Sequence, residues 1–289
     1  MTIKISGHTT PLAVLGHPIG HTLSPVMHNA AIDALGMDAI YLAFDVAPER
    51  LMPVLDAMRD MGFAGVNLTV PLKEVAFKNL AKLDESAARL GAVNTVALNA
   101  DPPTGYNTDG IGFLEAQREA FGSPVEGLSV LVLGTGGAGR AVAITCATAG
   151  ARAVALSDLE PARSEAVRAE IGKLGAECDT QIVQAEPDTW LEAARAADLV
   201  IQATPVGLKR TDRSILPPDA FRKGQRVFDL VYMYPETAFM KTARQAGART
   251  ANGLGMLLHQ GARALSIWTG AEPPVAVMRA TLEQAVYKE

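Results

Sequence analysis

The stretch Val130–Val142, VLVLGTGGAGRAV, decides how this chain divides. An apolar run leads straight into Gly134, Gly136 and Gly139, spaced G-x-G-x-x-G, and an apolar helical pattern follows. Strand, glycine turn and helix in that order are the setting in which the spacing signifies dinucleotide binding. Gly134 permits the tight turn, Gly136 lets backbone approach a pyrophosphate, and Gly139 lets the helix pack closely on the strand. The helix N-terminus adds N–H donors and partial positive charge. A plain tight βα turn would use the same glycines, so the context carries the reading rather than the triplet.

The next strand pattern, RAVALSD, ends at Asp158, nineteen residues after Gly139. A carboxylate there accepts hydrogen bonds from adenosine ribose hydroxyls and repels a 2′-phosphate, so NAD is expected over NADP. Asp158 also fits the N-cap of the helix that follows. Arg163 lies close enough in sequence to meet a phosphate.

Working outward, the rest of the chain alternates in the same way. Before the turn, LAVLG, IYLAFDV and GVNLTV read as strands. Between them lie the helical patterns SPVMHNAAIDALG, with Ser24 as N-cap, Pro25 at the first helical position and Gly36 as the stop, and PERLMPVLDAMRDMG. That βαβαβ order implies parallel strands with right-handed crossovers. AVNTVALN adds a strand, ADPPTGYNTDG reads as a turn-rich loop, and IGFLEAQREAFG as a connecting helix. After the turn, ADLVIQATP, RVFDLVY and GARTANG recur at α/β spacing. The tail is helical: LGMLLHQGARALSIWTG, then PPVAVMRATLEQAVYK. The expected fold class is α/β with two domains. Residues 1–110, completed by 254–289, form an N-terminal α/β substrate domain. Residues 111–253 form a Rossmann-type dinucleotide-binding domain, and the C-terminal helices pack back on the first domain.

Composition narrows the function classes. A net charge of −5 offers no basic field for nucleic acid. The N-terminal MTIKISGHTT has no apolar signal core, and no run reaches membrane-spanning length. The expectation is a cytoplasmic protein with no membrane partner, and monomer and homodimer both fit. Cys146 and Cys178 lack a metal-binding neighbourhood, and His17, His21 and His28 do not have metal-ligand spacing, so no metal is expected. His259 reads as a packing residue of its helix.

Polar residues cluster at the strand ends of the first domain: Thr22 and Ser24, then Asn67, Thr69 and Lys73, then Asn94, then Asn107 and Asp109. Ligands of parallel α/β sheets sit outside the carboxyl ends of the strands. Taken alone, Lys73 is a solvated lysine at a helix start and Asp109 a turn residue. Beside a cofactor domain, they become an acid–base pair for chemistry at a carbonyl.

Six ordered blocks resemble one family: GHPIGHTLSPVMHN, GVNLTVPLKEVAF, GAVNT, NTDGIGF, GTGGAGRA and NGLGMLLHQGA. The chain resembles the shikimate dehydrogenases, including the quinate/shikimate dehydrogenases, over nearly its whole length. The resemblance implies reversible reduction of 3-dehydroshikimate to shikimate with a nicotinamide dinucleotide. It implies Lys73 and Asp109 as the catalytic pair. It places Thr22, Ser24, Thr69, Asn94, Tyr232 and Gln260 on the cyclic hydroxy acid, the first two hydroxyls on the ring carboxylate. It places Gly134, Thr135, Gly136, Gly137 and Ala138 on the pyrophosphate, and backbone at Leu230 and Gly253 against the nicotinamide. Glu85 falls where the family has an acidic residue near the cofactor, and equally reads as a helix-surface residue. Two departures stand out. The family commonly has serine where this chain has Thr22, which narrows the carboxylate pocket and bears on shikimate against quinate. Its NADP-dependent members commonly have Asn-Arg-Thr where this chain has Ser157, Asp158 and Leu159. An NAD-dependent quinate/shikimate dehydrogenase of catabolic type is therefore the alternative, and a ligand-sensing module without turnover is a third reading, opposed by the retention of Lys73 and Asp109.

Overall fold

A computed structural model describes residues 5–287. Met1–Lys4, with which the expected first domain begins, and Lys288 and Glu289, with which the expected last helix and domain end, lie outside the described residues. The chain separates into two compact units. One runs to Thr108 and resumes at Leu258, and the other is Asp109–Leu257.

The first unit contains β1 (Thr10–Gly16), α1 (Ser24–Ala34), β2 (Ala39–Asp45), α2 (Leu51–Asp60), β3 (Gly65–Leu68), α3 (Leu72–Asn79), β4 (Lys82–Leu83), α4 (Glu85–Leu90), β5 (Thr95–Ala97) and β6 (Thr104–Tyr106). Its sheet has the order β2-β1-β3-β5-β6-β4. β1 is parallel to β2 and β3, as the βαβαβ pattern requires. β5 then runs antiparallel to β3, and β6 antiparallel to β5. This reversal was not legible in sequence: β6 is three residues long and lies inside the segment read as a loop, too short for a period-2 signal. Leu15, Leu51, Leu55, Val66, Leu68, Leu72 and Val96 form the core beneath α2 and α3. Burying such side chains stabilises by about 1.5–3 kcal/mol each.

The second unit opens with α5 (Asp109–Phe121) and continues with β7 (Ser129–Leu133), α6 (Gly137–Thr148), β8 (Ala153–Ser157), α7 (Pro161–Lys173), β9 (Asp179–Ile182), α8 (Pro187–Ala196), β10 (Leu199–Gln202), β11 (Arg226–Asp229), α9 (Ala238–Gln245) and β12 (Arg249–Asn252). All six strands are parallel, ordered β12-β11-β10-β7-β8-β9. Counted from β7 this is the doubly wound order of a Rossmann sheet, with its switch point between β7 and β10. Val130–Leu133 and Leu199–Gln202 are buried throughout, because helices cover both faces of a parallel sheet. Cys146 packs in this core.

The tail forms α10 (Leu254–Thr269) and α11 (Val275–Tyr287). α11 packs on α1. Trp268 of α10 donates its indole N–H to the Val96 carbonyl at 3.0 Å. The C-terminal helices thus return to the first sheet. No helix among the described residues is long and apolar enough to cross a membrane.

Candidate active site

In the first unit, strand directions gather the polar residues at one sheet edge. The C-terminal ends of β1 and β3 are neighbours, and the Thr69 N–H donates to the Leu15 carbonyl at 2.9 Å. Because β5 is antiparallel to β3, its start meets the end of β3: Leu68 N–H donates to the Asn94 carbonyl at 2.8 Å. Because β6 is antiparallel to β5, its end arrives there too, and Asn94 N–H donates to the Tyr106 carbonyl at 3.0 Å. The Lys73 carbonyl accepts from the Val93 N–H at 3.0 Å, which sets the first turn of α3 beside Asn94. Lys73 is half-buried there. β3 stops at Leu68, so Thr69 lies on the turn leaving the strand and Lys73 in the first turn of α3.

A buried hydrogen-bond chain underlies this edge. Asn67 Nδ2 donates to the Asn94 carbonyl at 3.1 Å and to Thr95 Oγ1 at 2.9 Å. A carbonyl only accepts, so the Asn67 amide is locked with Oδ1 toward Tyr41. Tyr41 therefore donates to Asn67, over 2.7 Å. Onward, Thr95 donates to Asn94 Oδ1 at 3.0 Å, and Asn94 Nδ2 donates to Thr108 Oγ1 at 3.0 Å. The Thr108 N–H donates to Asn94 Oδ1 at 2.8 Å, which locks the second amide. The chain has one direction, Tyr41 to Thr108, and Asp109 opens α5 immediately afterwards. Burial pushes the Tyr41 phenol well above its ordinary range.

Helix α1 begins one residue away from the expected arrangement. Leu23 occupies the N-cap position, and Ser24 is the first helical residue, with no side-chain cap. Thr22 Oγ1 accepts from the Ser24 N–H at 3.3 Å. The buried Ser24 hydroxyl is thus released from capping. His28, one turn on, stacks on Tyr41 with ring centroids 4.1 Å apart. Its nitrogens face the Ser24 and Gly261 carbonyls at 2.9 and 3.2 Å. Burial pushes its pKa down to about 4, against those two bonds. It is a neutral core histidine that seats α10 on α1, and the half-buried Gln260 precedes its contact Gly261.

In the second unit the glycine turn has the expected shape. Gly134 has φ +92°, and a Cβ at Gly139 would lie 1.9 Å from the Gly134 carbonyl oxygen. α6 begins at Gly137 without a side-chain cap, and the space beside Gly136 and Gly137 is open for 4 Å. These features fit a pyrophosphate: a half-buried Gly136 and exposed Gly137 and Ala138 at a helix N-terminus. Thr135 plays a different part. Its N–H and hydroxyl both go to Asp158 Oδ2, at 2.7 and 3.2 Å, while Asp158 Oδ1 accepts from the Glu160 N–H at 2.9 Å. Burial works against the Asp158 charge, but these bonds and Arg163 hold the carboxyl below its usual range. Glu160, not Asp158, holds the N-cap position of α7. Arg163 is exposed and pairs with Glu160 at 2.8 Å. Leu230 and Gly253 approach closely, since a Cβ at Gly253 would lie 2.1 Å from the Leu230 oxygen. Tyr232 is half-buried, and burial raises its phenol pKa. Glu85 is exposed and paired with Arg89 on α4, a helix-surface arrangement.

Residues 14–96 match the shikimate dehydrogenase substrate binding domain, and residues 253–283 the shikimate 5′-dehydrogenase C-terminal domain. The chain is 44% identical to the shikimate dehydrogenase (NADP(+)) of Moorella thermoacetica, covering 98% of this chain and 96% of the relative. The chain belongs to the shikimate dehydrogenase family. Among solved structures it is similar to shikimate 5-dehydrogenase from Thermus thermophilus in complex with NADP(H) and shikimate, with 40% identity, a TM-score of 0.83, and coverage of 96% and 99%. It is also similar to quinate dehydrogenase from Corynebacterium glutamicum in complex with NAD, at 33% identity, a TM-score of 0.86, and coverage of 94% and 98%.

The family corrects the expected preference for NAD. Curated relatives at 38–44% identity are named for NADP(+). The structure supplies a reason why Asp158 misled. Both of its carboxylate oxygens accept bonds from the protein, tying the glycine turn to the start of α7, so a carboxylate at this strand end serves the turn itself and does not by its presence select NAD. Sequence reasoning also passed over Tyr41, Thr95 and Thr108. Tyr41 was absorbed into an apolar strand, although its place beside buried Ala39 on the alternating pattern of β2 marks it as inward-facing.

Proposed function

We propose that this chain catalyses the reversible NADP-dependent reduction of 3-dehydroshikimate to shikimate. Membership in the family over nearly the whole chain carries the reading. Residues 1–110 with 254–289 serve as the substrate domain and 111–253 as the dinucleotide domain. Backbone N–H groups of Gly136, Gly137 and Ala138 hold the pyrophosphate, Thr135 shapes their turn, and Gly134 makes it. Asp158 secures that turn, and the exposed Arg163, whose charge acts on Asp158, is the cation assigned to a 2′-phosphate. Leu230 and Gly253 present backbone to the nicotinamide.

The cofactor supplies the hydride. Lys73 gives a proton to the carbonyl oxygen as the alcohol forms and takes it back in the reverse direction. Asp109 is the second member of the catalytic pair and receives a neighbouring ring hydroxyl. Thr22 and Ser24 donate to the ring carboxylate, while Thr69, Asn94, Tyr232 and Gln260 pair with ring hydroxyls. A polyol needs this many partners, because each unpaired buried polar group costs about 1–3 kcal/mol. The locked amide of Asn94 meets its ligand without reorganising. The test is NADPH oxidation on addition of 3-dehydroshikimate. Turnover dependent on both compounds is expected, and its absence rejects the reading.

A further inference from the structure

At the C-terminal edge of the second sheet, one buried carboxylate ties three segments together. Asp229 ends β11 and is fully buried. Its Oδ1 accepts from the Val231 N–H at 3.0 Å and from Gln202 Nε2 at 3.2 Å, and its Oδ2 from the Thr237 hydroxyl at 2.6 Å. Gln202 ends β10, also donates to the Val206 carbonyl at 2.6 Å, and accepts from the Thr204 N–H. Thr237 caps α9 through the Met240 N–H at 3.2 Å. The loop after β10, the turn after β11 and the start of α9 therefore converge on Asp229. The Leu230 oxygen it steadies faces Gly253, and the Gly253 N–H approaches the Val231 carbonyl at 3.4 Å. In a doubly wound sheet with the pyrophosphate at the β7–α6 turn and adenosine toward β8, this edge lies under the other half of a dinucleotide.

The chemistry of the clasp is unusual for packing alone. Gln202, Thr237 and the Val231 N–H are neutral, and no charged side chain contributes to the shift of Asp229. Burial raises its pKa to about 6, against the three hydrogen bonds. Near neutral pH it is a charged group with no cation among its hydrogen-bond partners, and burial disfavours that charge. A carboxylate makes stronger hydrogen bonds than an amide and holds the turn more tightly.

We propose that Asp229 is a positioning residue that uses its charge to fix the Leu230–Val231 turn under the nicotinamide half of the cofactor. The proposal rests on the dehydrogenase reading above. It is tested with Asp229→Asn in the full chain, by fluorescence titration with NADPH and by thermal melting near neutral pH. The variant is expected to melt as a folded protein yet bind NADPH about tenfold more weakly, with KM for shikimate little changed. NADPH affinity falls as the pH drops through about 6, where its own 2′-phosphate also takes up a proton, and the fall is steeper in wild type, where Asp229 is protonated as well, than in the variant. Thr237→Val, which removes the donor to Oδ2 together with the side-chain cap of α9, is a second probe and shifts NADPH affinity the same way. Unchanged NADPH affinity in both variants overturns the proposal, as does a pH profile of NADPH affinity that is equally steep in wild type and Asp229→Asn. Wild type that fails to bind NADPH at all rejects the dehydrogenase reading itself.

Discussion

The two sheet edges solve the same problem with opposite chemistry. In the first unit, Tyr41, Asn67, Thr95, Asn94 and Thr108 form a buried chain of neutral groups in which each donor has an assigned acceptor. In the second, Gln202 and Thr237 converge on a carboxylate that burial disfavours. A neutral chain is stabilising as well as pre-organised, since every polar group in it is paired. A buried charge strengthens individual bonds but works against the fold. The difference teaches that orienting hydroxyl and amide groups for a polyol is compatible with stability, while holding a backbone turn rigid draws on stability.

The largest expected effect breaks the first edge at its chemistry. Lys73→Ala removes the proton-transfer group and lowers kcat by about 10²–10⁴-fold, while NADPH affinity stays near wild type. Single-turnover kinetics with a parallel NADPH titration check this, and near-normal turnover excludes the assigned role.

The pH dependence of stability sharpens the comparison further. His28 has its pKa lowered to about 4, so the folded state resists protonation and stability falls as pH drops from 6.5 toward 4, by roughly 3 kcal/mol at the end. Asp229 has its pKa raised to about 6 from 3.8, so between those values the folded state binds the proton more readily and stability rises as pH drops, by a similar amount. In wild type the two contributions largely cancel. In Asp229→Asn the loss due to His28 is exposed, and urea unfolding at several pH values between neutral and 4 should show a steeper acid decline in the variant.

Tyr41→Phe comes next. It leaves Asn67 Oδ1 without its donor in a buried site, costing about 1–3 kcal/mol of stability and raising KM for shikimate. A melt and a shikimate saturation curve read both effects, and an unchanged KM would confine the chain to a structural role. The smallest effect is expected from Asp158→Ala. Loosening the glycine turn at a half-exposed site should weaken NADPH binding by about threefold to tenfold and leave shikimate KM unaltered.

The second unit was largely legible in sequence because its signals are local. An apolar run, a glycine spacing and the next strand end fall within thirty residues and follow from backbone sterics. Lys73 and Asp109 were legible as residues at strand and loop ends, and the family blocks around them sharpened that. The first unit was less so. Its reversal at β5 and β6 depends on strands of three residues, where pairing partners decide and periodicity is silent. The hydrogen-bond chain joins residues up to 67 positions apart, from Tyr41 to Thr108, and an apolar pattern hides a tyrosine whose ring packs inward while its hydroxyl works. Asp158 was placed correctly at the strand end but did not decide between NAD and NADP, because a carboxylate that faces a ribose and one that clasps its own glycine turn occupy the same sequence position.

The most direct test of the account is a steady-state matrix of shikimate and quinate against NADP and NAD. The account predicts that kcat/KM is highest for shikimate with NADP and falls on changing either compound. A higher value for quinate with NAD would contradict it and move the chain to the quinate branch of its family.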